Sequence, residues 1–163
     1  MRTLLIVYHS ATGGTRQMAA AALGGALDEA GVMCRLLHAG VAGPADVLGA
    51  DGYVFAAPEN LGSLAGVMKD FFDRCYYPVL DRVAGRPYAA MVCAGSDGQG
   101  AVRQIGRIVT GWRLRAVAAP LVVCTHAQSS EAILAAKVIG AEDLGRCREL
   151  GGGLAAGMAL GVF

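Results

Sequence analysis

Four short apolar runs punctuate the chain, at residues 4–8, 53–57, 88–93 and 116–124, and residues 32–38 read as a further strand, mostly apolar but with Arg35 inside it. Continuous apolar runs of this length predict strands buried on both faces of a parallel sheet. Helical spacing fills the intervals between them. Residues 14–30 place Ala20, Leu23, Leu27 and Ala30 on one stripe, with Gly31 as the natural stop. Proline 44 opens a helical turn, and Ser63 is placed to cap a helix over 64–75 that buries Leu64, Met68, Phe71, Phe72 and Cys75. On its outer side Lys69/Asp73 and Asp70/Arg74 stand at i,i+4 spacing, and Tyr76-Tyr77-Pro78 ends it. Two further helices are predicted over 101–110 and 141–160, the latter turning Leu144, Cys147, Gly151, Leu154 and Met158 inward. The run Gly151-Gly152-Gly153 inside it costs about 1 kcal/mol per glycine against alanine, so it predicts close packing or a break. Residues 125–140 carry no readable period.

Alternation of strand and helix throughout predicts one domain over 1–163, an α/β doubly wound five-stranded parallel sheet with helices on both faces. Pro120 lies in the fifth strand and cannot donate to a ladder, which puts that strand at an edge. The order 2-1-3-4-5 satisfies this. Its switch point lies between strands one and three, where ligands bind at the carboxyl ends.

Three loops meet at that edge. The first, after strand one, packs Ser10, Ala11, Thr12, Gly13, Gly14 and Thr15 just ahead of a helix. Free amides at a helix N-terminus, glycines that let the backbone close in, and hydroxyl donors together suit a phosphate. The loop has no Gly-Lys-Ser/Thr and no G-x-G-x-x-G, and strand two ends without an acid for a ribose diol. It contains neither Lys nor Arg, so hydroxyls and amides are left to hold the anion. The second loop is Pro58-Glu59-Asn60-Leu61-Gly62-Ser63, and the third Ala94-Gly95-Ser96-Asp97-Gly98-Gln99.

Composition excludes several alternatives. A formal charge of +1 with no basic cluster argues against nucleic acid. No apolar run approaches the ~18 residues of a membrane span, and Met1-Arg2 leads straight into a strand, which predicts a cytoplasmic protein. The odd, widely spaced Cys34, Cys75, Cys93, Cys124 and Cys147 read as free thiols rather than a metal site or disulfide framework. No Ser/His/Asp triad is visible, and strand three lacks the acid of a phospho-acceptor domain. His9 borders the first loop, where it is either a ligand or a bond to backbone, and His126, far from the switch point, is read as structural.

The pattern Ser10-x-Thr12-Gly13-x-Thr15 resembles the FMN-phosphate loop of the flavodoxin-like superfamily. From Pro58 onward, a proline, a short stretch, Gly62-Ser63 and then Lys69-x-Phe71-x-Asp73-Arg74 resemble the second FMN loop of NAD(P)H-dependent FMN reductases and flavodoxin-like quinone reductases. Where that family usually carries an aromatic, this chain has Glu59-Asn60-Leu61. The resemblance covers about residues 3–123 and, more loosely, the last helix. It implies a flavodoxin-like fold holding FMN, with residues 10–15 on the phosphate and backbone amides of 59–62 along the isoalloxazine. Gly95, Ser96, Gly98 and Gln99 are then implied on the pyrimidine side and ribityl chain, with Asp97 facing either flavin or solvent and Glu59 a candidate proton donor to N5. It further implies hydride transfer from NAD(P)H through FMN to a quinone, flavin or other small acceptor; a flavodoxin-like electron carrier is the alternative. The aromatic surplus at Phe71, Phe72, Tyr76 and Tyr77 predicts a homodimer or dimer-based assembly.

Overall fold

The computed structural model describes residues 1–163. Strand β1 (Arg2–Tyr8) is followed by α1 (Gly14–Ala26), β2 (Val32–His38), the short α2 (Pro44–Leu48) and β3 (Gly52–Asn60). A two-residue strand β4 (Ser63–Leu64) and helix α3 (Gly66–Val79) lead to β5 (Pro87–Ala94) and α4 (Gln99–Gly111). Then come β6 (Arg115–Ala116), β7 (Leu121–Cys124), α5 (Ser130–Leu134) and α6 (Ala141–Ala159).

The parallel core of the sheet runs β2-β1-β3-β5, and β6 and β7 both pair with β5 on the outer edge. Counted as one interrupted strand, β6 and β7 complete the predicted order. The interruption lies at 117–120, where Pro120 has no N–H to give. No helix is long and apolar enough to cross a membrane.

The two faces of the sheet are covered differently. On one, Tyr53 and Phe55 pack with Phe71, Phe72 and Trp112 from α3 and the end of α4. On the other, α1 and α6 cover Leu4, Ile6, Val54 and Met91, largely with small residues. There the backbones nearly touch. A Cβ on Gly151 would lie 2.0 Å from the carbonyl oxygen of Ala22, and one on Gly25 equally close to that of Arg148. The glycine run therefore serves close packing, and α6 continues through it unbroken.

This contact also corrects the stripe read for α1. Met18, Ala19, Ala22, Gly25 and Ala26 face inward, while Ala20 and Ala30 are exposed and Leu27 is 62% exposed. Small residues bring two backbones together where leucines would hold them apart. The helix ends at Ala26, four residues before the expected end at Ala30, in tight turns.

Helix α3 also differs. Ser63 is not its cap: it lies in β4, and its hydroxyl donates to Gln104. The helix runs on to Val79, with the ring of Pro78 in its last turn. Lys69 and Arg74 do pair with Asp73 and Asp70. Arg74 also donates to the carbonyls of Ala39 and Ala42, pinning the loop after β2. Of the four clustered rings, Phe71 and Phe72 are buried, Tyr76 stacks on Trp112, and Tyr77 alone is mostly exposed.

Candidate functional site

At the carboxyl edge of the sheet a cleft of about 200 Å³ opens between the loops after β1, β3 and β5. Ser10, Ala11, Thr12, Gly14 and Thr15 line it from the first loop, Pro58, Glu59 and Asn60 from the second, and Ala94 and Gly95 from the third. The cleft is smaller than the ~300 Å³ at which drug-sized ligand pockets begin, so a mononucleotide would extend beyond its mouth. No aromatic side chain lines it.

Two helices begin here, and they are treated oppositely. The N-terminus of α4 is occupied by Glu59, whose carboxylate accepts from the N–H of Gly98 at 3.0 Å and of Ala101 at 3.1 Å. The N-terminus of α1 has no acid in its first turn and no side chain capping it. Ser10 Oγ accepts from Gly13 N at 3.1 Å, holding the loop in shape. The amides of Gly14, Thr15 and Arg16 find no protein acceptor. Beneath them Thr15 Oγ1 is buried without a hydrogen-bond partner, the one such side-chain atom in the protein. Buried hydroxyls are ordinarily paired, and an orphan costs about 1–3 kcal/mol. Three free amides, one orphaned hydroxyl and the positive end of a helix dipole make a cradle for an anion. A phosphate fits this donor set.

The second loop is a β-hairpin. Strand β3 runs on to Asn60, and Leu61 (φ 54°) and Gly62 (φ 71°) both turn left-handed before β4. The hairpin rests on α4, where a Cβ on Gly100 would meet the Gly62 carbonyl oxygen at 1.9 Å. Glu59, the candidate proton donor, is thus committed to the backbone of α4. Leu61 is fully exposed at the tip. In the third loop Gly98 is buried as the cap of α4, while Ser96, Asp97 and Gln99 are exposed, so Asp97 faces solvent. Gly13, Leu61, Gly62, Ser63, Ser96, Asp97, Gly98 and Gln99 do not line the cleft.

Sequence reasoning missed part of the lining. Cys93, Thr125, Ala127, Ile133, Leu134 and Lys137 complete the cleft, five of them from the stretch without a readable period. The Cys93 thiol lies against Gly14 on the floor; burial pushes its pKa up, and the Lys137 charge and the neighbouring Thr15 hydroxyl act the other way, although no hydrogen bond of good geometry joins that thiol to Thr15 Oγ1. His126 is not remote, as expected, but adjoins the cleft: its N–H donates to the Gly95 carbonyl at 2.8 Å. His9 lies beside the first loop, its ring 3.3 Å from that of His38.

A family model for NADPH-dependent FMN reductases matches residues 42–129, just over half of the chain. The chain belongs to this family. The matched segment contains the second and third loops of the cleft. A curated relative named flavodoxin, from Aquifex aeolicus (strain VF5), is 34% identical over 100 residues, 61% of this chain and 54% of that protein. The match thus spans about half of that relative's length. Among solved structures, a flavodoxin from the domain Archaea aligns with a TM-score of 0.75 at 17% identity, covering 94% of this chain and 96% of that one. A WrbA-like protein from Agrobacterium tumefaciens aligns at 0.69 and 18% identity over 99% of both chains. The flavodiiron protein from Giardia intestinalis aligns at 0.78 and 18% identity, over 99% of this chain but 37% of that one. These likenesses show a flavodoxin-like fold, and family membership supports FMN as the cofactor of this reductase-family chain.

Proposed function

We propose that this chain binds one FMN in the cleft and passes hydride from NAD(P)H through it to a quinone, free flavin or similar small acceptor. The observation carrying the reading is the α1 cradle, where Gly14, Thr15 and Arg16 amides and the orphaned Thr15 hydroxyl await an anion. Ser10 and Thr12 line the same end. Bound FMN supplies the hydride chemistry; the protein supplies position and electrostatics. Glu59 ties the hairpin to α4 and so sets the spacing of the second and third loops across the cleft. Asn60, Ala94 and Gly95 offer backbone and amide groups to a ring edge at the mouth. With no aromatic ring lining the cleft, a ring face stays open to nicotinamide or a planar acceptor.

An electron carrier docking to protein partners is the second reading, favoured by the 34% identical relative named flavodoxin. Against it stand the formal charge of +1, where docking through charge calls for a strong imbalance, and the open cleft. Steady-state assays with NADH and NADPH against a panel of quinones and free flavin separate the two. Turnover with either nucleotide supports the enzyme. A flavin that is bound but not reduced by either nucleotide supports the carrier.

The reading includes a dimer that walls the mouth of the cleft. Leu61, Leu134 and Val138 are mostly exposed near this rim, and Tyr77 stands out from α3. Light scattering of the flavin-loaded protein tests it, a mass near 16.7 kDa being the contrary result.

A further inference from the structure

Residues 10–15 hold no cation, and the guanidinium of Arg16, beside Gly13, borders a separate hollow rather than the cleft; the fold brings a cation into the cleft from the far end of the chain. Residues 126–139 cross over the loop as a strap, fastened at three points. The N–H of Lys137 donates to the carbonyl of Thr12 at 2.8 Å. The Gln17 side-chain amide donates to the carbonyls of Gly13 (2.9 Å) and Lys137 (2.7 Å), and its oxygen accepts from the N–H of Ile139 at 3.0 Å. Gln17, on α1, thereby fastens the phosphate cradle and the strap to each other. Ile139 is buried beneath, against Gly14.

Lys137 is the only basic residue lining the cleft. Its ammonium donates to the carbonyls of Ile133 (2.8 Å) and Ala135 (2.6 Å), and makes no ion pair with any carboxylate. An ammonium has three N–H donors, so one remains. No acid competes for it: Glu59, the only carboxylate lining the cleft, is spent on α4.

We infer that Lys137 is the counter-ion of the bound phosphate, held against the α1 cradle by the Gln17 clip, so that the strap is part of the cofactor site. This rests on the FMN reading above. A phosphate held by amides and hydroxyls alone keeps its double charge uncompensated; a lysine on a strap clipped to the loop supplies the missing charge without entering the loop.

The test is equilibrium binding to the flavin-free protein, read by quenching of flavin fluorescence, with FMN and riboflavin compared at low and high salt. For Lys137→Met, FMN affinity should fall about tenfold or more while riboflavin affinity stays within twofold. The salt dependence of FMN binding should weaken, and Lys137→Arg should restore most of both. FMN affinity within twofold of the native protein, or an equal loss for riboflavin, overturns the assignment of Lys137 and leaves the FMN reading standing. Failure of the native protein to bind either flavin overturns both.

Discussion

The carboxylate of Glu59 accepts the N–H of Gly98 at 3.0 Å and that of Ala101 at 3.1 Å, joining two loops of the cleft through one side chain. A carboxylate at a helix N-terminus engages both free donors and the dipole. Replacing it with alanine should therefore destabilise the protein by about 1–3 kcal/mol, the cost of unpaired amides bonded to a charged group. Glu59→Gln keeps one acceptor oxygen and should lose less. Because both oxygens are occupied, Glu59→Gln should leave flavin reduction within a few-fold of native. A hundredfold drop in reduction rate at unchanged FMN affinity would make Glu59 a proton donor instead.

Thr15 offers a test of opposite signs. Its hydroxyl is buried and unpaired in the protein alone, so Thr15→Val should be neutral to stabilising in thermal unfolding without flavin. With FMN the same change should weaken binding by ~1–3 kcal/mol, and Thr12→Val likewise, because a bond to a charged group is lost. Riboflavin, without the phosphate, should be insensitive to both. Equal losses for the two flavins would falsify direct phosphate contact.

The α1–α6 seam predicts unequal costs along one glycine run. Gly151→Ala drives a methyl group into the Ala22 carbonyl and should destabilise by several kcal/mol or prevent folding, since backbone must move. Gly153→Ala meets nothing within 4 Å on an exposed helical position and should stabilise by about 0.5–1 kcal/mol. Chemical denaturation of the two variants decides it. Similar values would contradict the seam.

Acid should act through His9. Burial, and secondarily the neighbouring His38, lower its pKa from 6.5, so the folded protein binds this proton less readily than the unfolded chain. Its contribution is present above the unfolded value and lost as pH falls through the lowered one. The His38 Nδ1 accepts from Gly40 N–H at 3.0 Å, so in the neutral pair His38 Nε2–H donates to His9. His9→Asn should flatten the fall in stability below pH 6.5, measured as the thermal midpoint against pH. An unchanged slope would place the acid sensitivity elsewhere.

These outcomes bear on how far the chain can be read from its residues. Strands β1, β3 and β5 were legible because sheet burial on both faces leaves an unbroken apolar run, as in Leu4–Val7, whereas β2, at the sheet edge with Arg35 inside it, showed only as a mostly apolar stretch. Pro120 marked the edge for a similar reason, a missing donor. The inward face of α1 was not legible. Leu23 and Leu27 carry the stronger apolar signal, but Ala22 and Gly25 win because close backbone approach rewards small residues. The β3–β4 hairpin escaped notice because Leu61, at a left-handed position, is not the Asn, Asp or Gly that marks such turns. The strap stayed unreadable because backbone groups, Gln17 and one buried isoleucine hold it. None of these leaves a period in the sequence. The phosphate loop itself was visible as a cluster of hydroxyls and glycines; its cation, 122 residues beyond Thr15, was not.

The central claim is that a mononucleotide flavin occupies the α1 cradle. Its most direct measurement is titration of the flavin-free protein with FMN and FAD, followed by mass analysis of the flavin released on denaturation. One FMN per chain, bound in preference to FAD, is the expected result. Recovery of FAD alone, or no flavin bound at all, would contradict it.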